Sequence, residues 1–331
     1  MSNRYIKGVI TNTPLQPTTL AAIGLWSLTQ QSQAQGNGIW PVYTVPLVGI
    51  QKAIFGYGGD SVGGVSLTNL VSNTGIVSSD TSGVGTARGG LAAAGYGTDK
   101  AIFGYGGSFS ITNLVSNTGV VATNTTGVGT ARNVLAAAGY GTDKAIFGYG
   151  YATANSAITN LVSNTGVVAT DTAGVGTART YLAATGYGTD KAIFGYGDGQ
   201  SVTNLVSNTG VVSSNTTGVG TARAGPAAAS YGTDTAIFGY GYGSNFTAIT
   251  NLVSNTGVVA SNTTGVGTGR YALAAAGYGG DKAIFGYGYN STAPNFQSMT
   301  NLVSNTGVVA TDTAGVGTTR NELAAAGFSL T

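Results

Sequence analysis

Leu91-Ala92-Ala93-Ala94-Gly95-Tyr96-Gly97-Thr98-Asp99-Lys100-Ala101-Ile102-Phe103-Gly104-Tyr105-Gly106 carries the pattern from which the rest of the chain is built. It reads as two short apolar strands, Leu91–Tyr96 and Lys100–Tyr105, joined by a tight Gly-Thr-Asp turn. Gly and Asp suit such a turn because they tolerate the backbone angles that a hairpin requires.

The same stretch recurs. Ala-Ile-Phe-Gly-Tyr-Gly begins at Ala53, Ala101, Ala145, Ala192, Ala236 and Ala283. Thr-Asn-Leu-Val-Ser-Asn-Thr-Gly begins at Thr68, Thr112, Thr159, Thr203, Thr250 and Thr300, and an Arg closes each unit at Arg88, Arg132, Arg179, Arg223, Arg270 and Arg320. Corresponding positions lie 44 to 50 residues apart, so the chain from residue 51 onward is one unit in six copies.

Each unit predicts four strands, which in the second copy are Leu91–Tyr96, Lys100–Tyr105, Ile111–Ser116 and Val120–Thr125. Strands this short, separated by Gly-rich turns, point to an all-β design. Their apolar and small residues do not alternate cleanly with polar ones, as expected of sheets packed on both faces. Four-stranded sheets arranged radially make a β-propeller; a β-solenoid is the rival, but its coils are usually shorter and need not close. The first copy begins at Lys52 with the second strand of the unit. The missing first strand stands at the far end, as Leu323-Ala324-Ala325-Ala326-Gly327-Phe328. The C-terminal strand is therefore expected to complete the first blade and close a six-bladed β-propeller over residues 51–331, leaving no unpaired edge.

Composition narrows the function. Charged residues make up 7% and apolar residues 42% of the 331, a balance opposite to that of disordered chains. No apolar run approaches the roughly 20 residues of a membrane span, and Met1-Ser2-Asn3-Arg4 lacks the apolar core of a secretory signal. With no Cys and no His, thiol chemistry, the usual zinc sites and His-based acid–base catalysis are excluded, and no cofactor is expected. A net charge of +2 is too small for a nucleic-acid groove.

Residues 1–50 do not repeat. Pro14 and Pro17 mark an irregular start, 27–35 predicts a short helix stopped by Gly36-Asn37-Gly38, and 42–50 reads as a strand-like run. Gly24-Leu25-Trp26-Ser27-Leu28, followed by Gly38-Ile39-Trp40-Pro41, resembles a short motif of bacteriophage tail and fibre proteins. That resemblance implies a virion location, with residues 1–50 attaching the chain to other virion proteins; the alternative is a packing arm that buries the two Trp. The repeat itself resembles the kelch motif in the Arg before the inner strand, the Phe-Gly-Tyr-Gly of the second strand and the four-stranded unit. It departs from that motif in splitting the double Gly and in placing Thr-Gly-Val-Gly-Thr where the fourth-strand Trp would stand.

No catalytic constellation is visible, and the chain is not expected to be an enzyme. Asp99, Asp143, Asp190 and Asp281 each precede a Lys in the hairpin turn and read as local pairs of small energetic weight. The six Arg are expected to bond backbone carbonyls between blades, with a ligand-binding ring around the channel as the alternative. The Asn and Asp that precede Thr-Thr-Gly or Thr-Ala-Gly, such as Asn124 and Asp171, lack the carboxylate density of a calcium site and are expected to cap turns. The Asn-X-Thr sequences at Asn124, Asn215 and Asn262 are read as part of the same structural turn rather than as glycan acceptors. A lyase or glycosidase would need paired acids, and the off-repeat acids Asp60, Asp198 and Glu322 are the candidates.

The copies differ in two places: the loop between the second and third strands, and the two residues after each Arg. In an up-down-up-down blade both emerge on one face, so one face is diversified and the other uniform. Loops on a rigid scaffold are where binding usually resides. The varied face carries Phe109, Tyr151, Tyr181, Tyr242, Phe246, Tyr271, Tyr289 and Phe296, with Asn155, Asn245, Asn290 and Asn295. Aromatic rings beside amides suit sugar rings and their hydroxyls, so the expectation is a phage tail-fibre or similar surface protein that binds a host-surface glycan, likewise oligomeric in the virion. A purely structural baseplate or capsid decoration protein is the alternative.

Overall fold

The computed structural model describes Thr29, Ser32, Gln33 and residues 51–329. Thr29, Ser32 and Gln33 are helical and exposed; the rest of the expected 27–35 helix, both Trp and the 42–50 run lie outside the described residues. The chain divides into two compact units, Met1–Pro46 and Leu47–Thr331.

The second unit is all-β. Its strands are β1 (Lys52–Gly56), β2 (Thr68–Val71), β3 (Ala92–Tyr96), β4 (Lys100–Gly104), β5 (Thr112–Val115), β6 (Ala136–Tyr140), β7 (Lys144–Gly148), β8 (Thr159–Val162), β9 (Ala183–Tyr187), β10 (Lys191–Gly195), β11 (Thr203–Val206), β12 (Ala227–Tyr231), β13 (Thr235–Gly239), β14 (Thr250–Val253), β15 (Ala274–Tyr278), β16 (Lys282–Tyr289), β17 (Phe296–Val303) and β18 (Ala324–Phe328). They form six antiparallel, three-stranded, propeller-like sheets, of which β3-β4-β5 is the pattern. The odd one is β18-β1-β2, in which the last strand pairs with the first from Lys52↔Phe328 to Gly56↔Ala324.

The sheets are three-stranded rather than four-stranded. The fourth segment, expected as a strand over Val120–Thr125, touches β5 only through the isolated bridges Val115↔Val121 and Thr112↔Thr125. The cause lies in the middle of β5. Asn113 is fully buried, and its Nδ2 donates to Ala122 O and to Asn124 Oδ1, so a side chain holds the segment where a continuous ladder would run. The expected strand Lys100–Tyr105 also ends one residue sooner, at Gly104, because Tyr105 takes a left-handed conformation with φ of 63°.

The central strand of each sheet is buried on both faces: Ala101, Ile102 and Phe103 are 0% exposed. The core is accordingly a series of interfaces between neighbouring sheets. In one of them Ile102, Tyr105 and Ala94 of one sheet meet Phe147, Ala145 and Val162 of the next. The Phe-Gly-Tyr triplet builds each interface. The Phe194 ring lies 5.1 Å from the Tyr149 ring, and a Cβ on Gly148 would stand 2.7 Å from Phe194 Cζ, so only Gly lets the two sheets approach. The first strands neighbour one another in the order β3, β6, β9, β12, β15 and β18, and β18 neighbours β3. Between the last repeat and the first, Phe55 packs on Tyr287 at 5.2 Å in the same way.

Gly148→Ala should destabilise the protein by about 1–3 kcal/mol in urea unfolding, because the new methyl overpacks against Phe194. A loss of only a few tenths would show that the sheets are not closely seated at this position.

Candidate functional site

The repeats are clamped together by their Arg. Arg179 is fully buried. Its Nε donates to Tyr196 O at 2.7 Å and its Nη2 to Asn204 Oδ1 at 2.8 Å, both in the following sheet, while its Nη1 donates to Thr177 O at 3.0 Å in its own segment. The guanidinium also lies 4.5 Å from the centre of the Tyr149 ring in the preceding sheet. All six Arg repeat this arrangement, including Arg320, which donates to Tyr57 O and Asn69 Oδ1 across the first and last repeats. The expected carbonyl bonds are present. The alternative, a ring of ligand-binding Arg, is not formed, because these groups are buried and already bonded within the protein.

The fourth segment adds a further link. Asp171 accepts from Thr130 N and Oγ1 of the preceding repeat, and Asn124 accepts from Thr86 N and donates its Nδ2 to Thr86 Oγ1. These side chains therefore join repeats rather than capping turns of their own, and the amide of Asn124, as of Asn215 and Asn262, is engaged with a Thr hydroxyl. At the uniform end, Asp99 pairs with Lys100 at 2.7 Å and accepts from Asn117, as expected of a local turn pair.

The two variable segments do meet. Isolated bridges join Asn133 to Tyr151, Ala224 to Tyr242 and Tyr271 to Tyr289, each linking a residue after an Arg to the loop after a second strand. Inside them runs a circuit of backbone bonds at 2.7 to 3.0 Å. Gly90 donates to Glu322 O, Glu322 to Ala272 O, Ala272 to Gly225 O, Gly225 to Tyr181 O, Tyr181 to Val134 O and Val134 to Gly90 O. All six residues have positive φ, from 46° at Val134 to 67° at Gly90. The sequence hints at this only through Gly90 and Gly225, since Val, Tyr, Ala and Glu disfavour that region.

Six of the eight candidate aromatics form one connected group. Tyr181 meets Tyr271 at 5.5 Å, Tyr271 meets Tyr289 at 6.5 Å, and Tyr289 meets Phe296 at 5.6 Å and Phe246 at 6.0 Å. Phe246 in turn meets Tyr242, which is 44% exposed, at 5.0 Å. Phe109 and Tyr151 are exposed but make no ring contact with this group. Of the candidate amides, Asn245 is exposed and beside the group. Asn290 is buried and accepts from Thr292 N, and Asn295 donates to Asn290 O, so these two serve their own loop, whereas Asn155 donates to Asp198 in the loop of the next repeat.

The three off-repeat acids hold separate posts. Asp60 accepts from Val62 N and Gly63 N of its own loop, Asp198 accepts from Thr180 N and Oγ1, and Glu322 accepts from Tyr181 Oη at 2.9 Å. Burial, then Tyr271 and the Glu322 carboxylate, push the Tyr181 phenol well above its ordinary range. No protein-family model matches this chain, and no curated protein matches it.

Burial pushes the Asp171 carboxyl up, but the Thr130 and Asn160 bonds outweigh it and hold it below the usual carboxylate range. A carboxyl so depressed stabilises the fold above its unfolded pKa of about 4, and that contribution is lost as pH falls through its folded value. Asp171→Asn copies the residue found in three other repeats. It should leave stability near that of wild type at pH 7 and flatten its decline below about pH 4, as read from urea midpoints across the pH range. An unchanged acid slope would remove Asp171 from the linkage.

Proposed function

We propose that the six sheets close into a six-bladed, kelch-like propeller and that this propeller is a non-catalytic glycan-binding head displayed on a bacteriophage particle. The pairing of β18 with β1 and the backbone circuit through Gly90 and Glu322 support closure. The single observation that carries the binding role is the connected aromatic group, built from the variable segments of neighbouring repeats around Tyr242, Phe246 and Tyr289. Stacked on a sugar, such rings bury its C–H faces, and each ring buries 150–250 Å² when covered, roughly the scale needed for weak but specific binding. Multiple copies on one particle would then multiply that affinity through avidity. Residues 1–50 are the anchor to other virion proteins in this reading, on the strength of their likeness to the tail and fibre motif.

Tyr242→Ala and Tyr289→Ala should each weaken binding on a host-surface glycan array by about ten-fold, while Phe109→Ala, outside the group, should leave it unchanged. Equal binding by all three variants and wild type would refute the assigned face.

A further inference from the structure

The backbone circuit surrounds a small opening of about 70 Å³, lined by Leu91, Leu135, Leu182, Leu273 and Leu323 with Pro226 at the sixth position. The leucines are 5 to 6% exposed, so their side chains form firm apolar walls. Two polar side chains break these walls: Glu322 and Tyr181. Glu322 is half-buried, and among the described residues it forms no ion pair, unlike Asp99, Asp143, Asp190 and Asp281 with their neighbouring Lys. Its Oε1 takes the Tyr181 hydroxyl, and its Oε2 lies toward Gly89, 3.2 Å from where a Cβ on that residue would stand. The Tyr181 ring is backed by Tyr271.

We infer that this opening binds a protonated primary amine, with Glu322 as its counter-charge and the Tyr181 ring as its aromatic wall. On the glycan this would be an unacetylated amino sugar, an identification that rests on the reading of the face as glycan-binding. A carboxylate between leucines loses hydration without gaining a cation from the described residues. An ammonium group supplies that cation, forms charge-assisted hydrogen bonds to the carboxylate, and is attracted to the face of a tyrosine ring. A neutral hydroxyl offers a hydrogen bond but no charge. Size agrees: a cavity needs only about 10–15 Å³ of such volume to hold one water, so the opening has room for an ammonium group and its neighbouring methylenes. Glu322 stands where the other copies have Gly90, Val134, Tyr181, Gly225 and Ala272, so the carboxylate is a departure from the repeat rather than part of its scaffold.

Ligand-observed NMR titration with ethanolamine and ethylene glycol, which differ in carrying an ammonium or a hydroxyl, tests the site without any glycan. Wild type should bind ethanolamine at least about ten-fold more tightly than ethylene glycol. Glu322→Gln should abolish that preference with an unchanged melting temperature, and Tyr181→Phe, which keeps the ring and the carboxylate, should retain it. Equal binding of the two probes by wild type, or a preference that survives in Glu322→Gln, would overturn the inference and leave the aromatic face untouched. Glucosamine should in turn outcompete N-acetylglucosamine on wild type; no difference between them would overturn the amino-sugar identification.

Discussion

Everything in the repeat unit depends on a buried guanidinium that bridges two neighbouring sheets. Arg132 lies over the Tyr105 ring and donates to Tyr149 O and Asn160 Oδ1. Burying a charge without partners is prohibitive, so each bond is obligatory, and each partner must be placed to make it. That requirement explains the left-handed Tyr105 and Tyr149, whose carbonyls and rings face the Arg from opposite sides, and the buried Asn of each third strand. It also explains the glycine before each Tyr, which admits the Phe of the next sheet. Planar geometry and a full fork of donors suit Arg to this place in a way Lys does not.

Because the clamp is repeated and uses few residues, the ends of the strands are free to differ. The uniform end is fixed by Asp, Lys and Asn that bond one another. At the other end only the backbone circuit is constant, and a backbone circuit constrains φ rather than side chain. Gly, Val, Tyr, Ala and Glu all stand in it, at a conformational cost of about 1–2 kcal/mol for each residue other than Gly. Chemical variety at the mouth is thus separated from the interactions that hold the sheets together.

Much of this was legible from the repeat. The Arg, the Phe-Gly-Tyr-Gly run and the displaced Leu323–Phe328 strand announce six equivalent sheets, because identical residues at fixed spacing must make identical contacts. The fourth strand was misread because Val120 and Val121 look like strand residues, whereas the deciding residue is Asn113 on the neighbouring strand, whose side chain intrudes only in three dimensions. The grouping of Tyr181, Tyr271 and Tyr289 was legible as a shared face but not as a set of contacts, since the loops carrying them differ in length. Asn290 and Asn295 look like free amides in the sequence and are consumed by their own loop. In the sequence Glu322 stands only as an off-repeat acid and a candidate for a paired-acid site; that it shares an apolar opening with Tyr181, 141 residues away, could not be read along the chain.

The clamp joining the last repeat to the first is built from the same bonds as the clamps within the chain. Urea unfolding of Arg320→Lys beside Arg179→Lys measures whether it carries the same weight. Both substitutions should cost about 3 kcal/mol or more and leave a single cooperative transition, since each strips a buried network of its fork. A large loss for Arg179→Lys with little or none for Arg320→Lys would mean that the ends of the repeat region do not depend on one another, and would contradict the account.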